Sequence, residues 1–170
     1  MMSVLIKKFQ GSPFCTPKLT YTSGDTEFTA DYTEEWGQEF GNAVVAVRDL
    51  AAELFCMDDE FISDIELSSI DWVTKDRRTK CRLTIDVILE NRKGAVVGPC
   101  IMKSPWLNEE DLDGIADDAV ERMEALREVC AEYVLGRQRA QMELFGYEDL
   151  DIVDVSSDGM LRQAQREGGE

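Results

Sequence analysis

The sequence predicts an α+β domain in which an antiparallel β-sheet, an N-terminal hairpin plus a three-strand meander, packs against two amphipathic helices at about 33–56 and 108–145. Three observations carry this reading. Apolar and polar residues alternate strictly around residues 80–90, apolar residues recur at helical spacing over 36–55 and 112–134, and turn residues separate the extended pieces. A chain of 170 residues with 44% apolar composition can bury one core. The spans are therefore a single domain over 1–146 and an acidic, mobile tail over 147–170.

Val4-Leu5-Ile6 and Leu19-Thr20-Tyr21 are β-favouring and are kept apart by Gly11, Pro13 and Pro17. Ser23-Gly24-Asp25 then turns the chain into Glu27–Tyr32, giving a hairpin. Thr33, followed by Glu34 and Glu35, reads as an N-cap with acids in the first turn. The helix it opens places Trp36, Phe40, Val44, Val47, Leu50, Ala51 and Leu54 on one face. After Asp58-Asp59-Glu60, the stretch Phe61–Thr74 begins with Phe61, Ile65 and Leu67 in one phase and ends with Ile70 and Trp72 in the other. A bulge near Ser68-Ser69 reconciles the two. Lys75–Arg78 is the hairpin loop into the clearest strand, where Cys81, Leu83, Ile85, Val87 and Leu89 alternate with polar neighbours. Asn91–Gly94 turns again into Ala95–Met102, which Gly98-Pro99 confines to a sheet edge or interrupts. Asn108 caps a helix with apolar positions Leu112, Ile115, Ala119, Met123, Leu126, Cys130, Tyr133 and Val134.

The formal charge is −17, from 35 acids and 18 bases. It is uneven: residues 1–107 carry 17 acids and 12 bases, and residues 108–170 carry 18 acids and 6 bases. Such a field opposes phosphate backbones and anionic lipid, so direct nucleic-acid binding and a membrane surface are both disfavoured. The opening MMSVLIKKFQ lacks the long apolar stretch of a secretory signal, and a cytoplasmic location is expected. Five widely spaced cysteines without a C-x-x-C pair read as reduced, buried thiols.

Absence of histidine removes Ser-His-Asp and Cys-His nucleophiles and His-based zinc sites. Neither glycine-rich phosphate loop is present. Carboxylates at Asp58-Asp59-Glu60 and Glu109–Asp113 are the only metal candidates. A calcium-loop register on the second fails, because its twelfth position is Val120 where a bidentate Glu is required. Acids favoured at a helix N-terminus account for that cluster. The expectation is no catalytic residue, no cofactor and no metal. Lys75, Arg77, Arg78, Lys80 and Arg82, near Trp72, combine positive charge with an aromatic as nucleic-acid contacts do; the competing reading pairs them with the protein's own acids.

Gln141-Met142-Glu143-Leu144-Phe145 resembles the pentapeptide that bacterial replication and repair proteins insert into the sliding clamp of the replicative polymerase. The resemblance implies that Gln141 sets the register while Leu144 and Phe145 fill an apolar pocket, with Met142 standing where Leu is commoner. The alternative reading is structural: Leu126, Cys130, Tyr133, Arg137, Ala140 and Leu144 share helical spacing, so Leu144 and Phe145 would close the helix onto its own core. The stretch Tyr133–Phe145, with the meander before it, is similar to small uncharacterised proteins from phage and prophage replication and recombination regions. That likeness implies an accessory protein whose partner is the sliding clamp or another DNA-processing protein. Three other readings stay open: an acidic DNA mimic that inhibits a nucleic-acid-binding host defence protein, a carboxylate and Mg²⁺ nuclease, and a virion assembly component.

Overall fold

The computed structural model describes residues 3–11, 17–32, 37–57, 62–145, 153–155 and 161–163, with side chains described as far as residue 137. Six strands form one antiparallel sheet: β1 (Val4–Gln10), β2 (Lys18–Ser23), β3 (Thr26–Asp31), β4 (Ile62–Lys75), β5 (Arg78–Glu90) and β6 (Val96–Lys103). Their order across the sheet is β3-β2-β1-β4-β5-β6. The expected hairpin is β2–β3, and the expected meander is β4–β5–β6. The two are not separate. β1 pairs with β2 on one side and, over Lys8–Gln10, with β4 on the other, which makes one continuous sheet.

Helix α1 (Gln38–Leu54) connects β3 to β4, and α2 (Glu109–Asp113) and α3 (Ala119–Phe145) follow β6. The packed face of the sheet is fixed by register: Phe9 lies opposite both Leu19 and Ile70, Ile6 opposite Tyr21, Leu67 opposite Ile85, Ile70 opposite Leu83 and Trp72 opposite Cys81. All of these side chains are buried. Phe40, Val44, Val47, Leu50 and Ala51 of α1, and Ala119, Met123, Leu126, Cys130 and Val134 of α3, complete the core from the helix side. α3 packs on α1 and over β1, and α1 lies over β4. The opposite face of the sheet carries no helix among the described residues and is laced by cross-strand ion pairs, Lys7–Glu27, Lys8–Asp71, Lys18–Asp31 and Arg82–Asp71.

Several expectations change in detail. α1 starts at Gln38 behind Gly37, which makes no side-chain cap, and Thr33–Trp36, where the cap was expected, lie outside the described residues. The helix expected over 108–145 is two helices. Asn108 closes a reciprocal capping box with Asp111, the first helix ends at Gly114, and α3 begins only at Ala119. The first helix, of five residues, is little more than one turn, and Gly114 with Asp117 and Asp118 beyond it offers poor helical propensity at the break. The bulge in β4 is found between Leu67 and Ser69, as the phase change requires. The β4–β5 turn is tight, with Asp76 at φ 52° and Arg77 at φ 63°, so two non-glycine residues adopt the left-handed conformation that a two-residue hairpin demands. Within residues 147–170, Val153–Val155 (β7) pairs with Leu161–Gln163 (β8).

Candidate partner-binding site

The clamp-like pentapeptide forms the last turn of α3, which is helical through Phe145. Val134 is the last buried position on α3 among the described side chains, and Gly136 follows it. Gln141 begins seven residues further on, roughly 10 Å along the axis. The side chains of Gln141, Met142, Leu144 and Phe145 lie outside the described residues.

Immediately before the pentapeptide, α3 borders a groove of about 570 Å³ against the start of α1, lined by Gln38, Phe40, Val129, Tyr133, Gly136 and Arg137. Its aromatic wall is built edge to face, Tyr32 on Tyr133 with centroids 4.8 Å apart, and the Arg137 guanidinium lies 5.9 Å over the Tyr133 ring. Burial holds the Tyr32 phenol well above its ordinary range, so it stays a neutral hydroxyl.

The exposed face of α3 is acidic. Glu121, Glu124, Glu128 and Glu132 follow one another at three- or four-residue intervals, all are exposed, and none has a cation within ion-pair distance among the described residues. Arg122, on the neighbouring row, is bound instead to Asp118 at 2.9 Å and to Glu53 at 3.7 Å. The acids of Glu109–Asp113 belong to the first turn and body of α2, where Asp111 is engaged by Asn108. Among the described residues no group of three or more His, Cys, Asp or Glu side chains gathers at a point, and Asp58–Glu60 lie outside them.

The basic hairpin divides. Arg82 pairs with Asp71 and stacks on Trp106 at 4.6 Å. Trp72, its neighbour in sequence, is buried beneath Arg127 instead. Lys75, Arg77, Arg78 and Lys80 are exposed and meet no acid within ion-pair distance among the described residues, where internal pairing accounts for one of the five cations. Sequence proximity pointed to the wrong tryptophan, because the aromatic that reaches Arg82 arrives from the segment after β6, which bridges back to Cys81.

The cysteines divide as well. Cys81 and Cys130 are buried, whereas Cys56 and Cys100 are exposed, which corrects the expectation of uniformly buried thiols; Cys15 lies outside the described residues. Burial, reinforced by Glu124, pushes the Cys81 thiol up to about 12, and burial alone raises Cys130. A thiol reagent at neutral pH is expected to modify Cys56 and Cys100 and to spare Cys81 and Cys130 until the protein unfolds, as peptide mass spectrometry will read. Since the folded thiols hold their protons longer than unfolded ones, their contribution to stability falls as pH rises from 9.0 toward about 12.

No helix among the described residues is long and apolar enough to cross a membrane. No protein-family model, curated protein or solved structure matches the chain.

Proposed function

We propose that this chain is a non-enzymatic accessory protein of phage type that docks on the bacterial DNA replication or recombination machinery, with Gln141, Met142, Leu144 and Phe145 contacting the sliding clamp. The observation that supports it is the position of the pentapeptide, as the final turn of α3 and beyond the last described core residue of that helix. A short segment there can offer two apolar anchors to a pocket without dismantling the sheet. Replacing both anchors, Leu144→Ala with Phe145→Ala, is expected to weaken clamp binding at least tenfold while circular dichroism stays unchanged. A hot-spot pair contributes about 2 kcal/mol or more. Wild-type protein that fails to bind purified clamp, or a double variant that binds as well as wild type, defeats the reading.

The row Glu121, Glu124, Glu128 and Glu132 favours a second reading, an acidic DNA mimic acting on a nucleic-acid-binding host defence protein. Unpaired carboxylates roughly 5–6 Å apart on a rigid helix present a regular line of negative charge. Inhibition by mimicry would fade steeply with rising salt and vanish when these acids are changed to lysine.

A further inference from the structure

The least covered apolar surface in the molecule is β6. Six of its eight residues are exposed, and within VVGPCIMK, Val96, Val97 and Ile101 are 64%, 66% and 71% exposed. Among the described residues no helix covers either face: α1 reaches β4 and β5, and α3 reaches β1. The opposite edge is different. β3 is charged at Glu27 and Asp31, and β7 lies against it. The ladder is bulged at Val97 but regular from Gly98 to Lys103, and such an apolar edge, without acids and without cover among the described residues, is a template for pairing.

The hydrogen-bond phase of β6 says which groups are free. Ser104 N–H donates to the Leu83 carbonyl, and Leu107 and Cys81 exchange both backbone bonds, so Cys81, Leu83, Ile85, Val87 and Leu89 turn their backbone groups toward the edge. Their partners Gly98, Cys100 and Met102 turn inward to meet them. By the alternation of an antiparallel ladder, Pro99, Ile101 and Lys103 face outward. The free edge therefore offers three carbonyls and two N–H groups, since proline has none.

We propose that β6 is a self-association edge: two copies join antiparallel about a two-fold axis through Ile101, extending the six-stranded sheet to twelve. In this register Ile101 exchanges two bonds with its mate, and each Lys103 N–H meets the partner strand's proline carbonyl. All free donors are satisfied, and the N–H that Pro99 lacks costs one bond at each rim. Each Lys103 stands roughly 13 Å along the strand from its mate. A register centred on Met102 makes as many bonds but sets the two lysines diagonally against each other, within about 7–8 Å.

Charge selects a second copy as the occupant. Residues 91–107 contain Arg92, Lys93 and Lys103 and no acid, in a protein of net charge −17. The exposed face of α3 would bring carboxylates against carboxylates when two copies meet, whereas this edge brings apolar residues against apolar residues. This inference is independent of the clamp reading, which rests on the other end of the chain.

Sedimentation equilibrium across the micromolar range is expected to show a species of twice 19.2 kDa in reversible exchange with monomer. Ile101→Lys, which sets two lysines face to face, should leave a monomer with unchanged circular dichroism, and Ile101→Val should remain dimeric. A short bis-maleimide should join two copies through Cys100, whose Cβ atoms would lie about 7–8 Å apart, and Cys100→Ser should abolish the product. Wild type that is monomeric throughout, an Ile101→Lys variant that is still dimeric, or a cross-link that survives Cys100→Ser each overturns the proposal.

Discussion

Phe9→Ala is expected to destabilise the protein by about 3–5 kcal/mol, a large part of what an ordinary domain of this size possesses. The side chain is fully buried, lies between Leu19 on β2 and Ile70 on β4, and meets the Phe40 ring edge to face at 5.7 Å. It therefore fills the seam where the β1–β2–β3 half meets the β4–β5–β6 half, and it is there that α1 closes over the sheet. That seam is narrow, because β1 and β4 share only three register positions, Lys8, Gln10 and Phe9 itself. A cavity at Phe9 removes packing that no neighbouring ladder can replace. Urea unfolding monitored by circular dichroism will read the loss as a lower midpoint. Val73→Ala, at a position 49% exposed on the open face, serves as the comparison and should change stability by no more than about 0.5 kcal/mol.

The seam also shows why part of the fold was legible in the sequence and part was not. β5 was plain because every second residue from Cys81 to Val87 is buried, and a period of two survives in the sequence when a strand is regular. β4 could be read despite its irregularity, since the shift of apolar phase from Leu67 to Ile70 is itself the trace of a bulge. β1 could not be read as a central strand. A register shift between Ile6 and Lys8 puts Ile6 and Phe9, three residues apart, on one face, and that spacing matches no strand template. The break between α2 and α3 was hidden for the opposite reason. Leu112, Ile115, Ala119 and Met123 keep helical spacing across it because residues on both sides face the same core.

The candidate site was legible only as a string. Gln141–Phe145 stands out by residue type, and its helical backbone was anticipated by the apolar spacing that leads up to it. The free edge of β6 was foreshadowed by Gly98-Pro99, which placed the strand at an edge. What the residues did not disclose is that the helices stop short of it, since layer coverage depends on where α1 and α3 cross the sheet rather than on any local pattern. That four cations at the β4–β5 turn meet no acid among the described residues was equally invisible. Ion pairing is a property of what the fold brings near, and in an acidic chain the default expectation is that every base finds a partner.

Arg127→Met is expected to cost about 2–3 kcal/mol, an effect well above that of an ordinary helix-surface change, because a charged hydrogen bond to a desolvated acceptor is lost. The Ile6 carbonyl lies at the edge of the β1 bulge, and Arg127 of α3 donates to it, Nε to oxygen at 3.1 Å. The same guanidinium lies 5.6 Å over the buried Trp72 ring, so one side chain joins α3 to both β1 and β4. Burial draws its pKa below the usual guanidinium range, yet arginine remains charged at any pH at which the protein would be handled. Methionine keeps the apolar stem but leaves the Ile6 carbonyl unsatisfied and the indole face without its cation. Arg127→Lys separates the contributions: it preserves the charge and loses the planar stack, so its cost should fall between wild type and methionine. A double-mutant cycle with Trp72→Phe should then return a coupling of about 0.5–1 kcal/mol for the stack, the rest belonging to the carbonyl. Equal stability of the methionine variant and wild type in urea would show that water, rather than Arg127, satisfies the bulge.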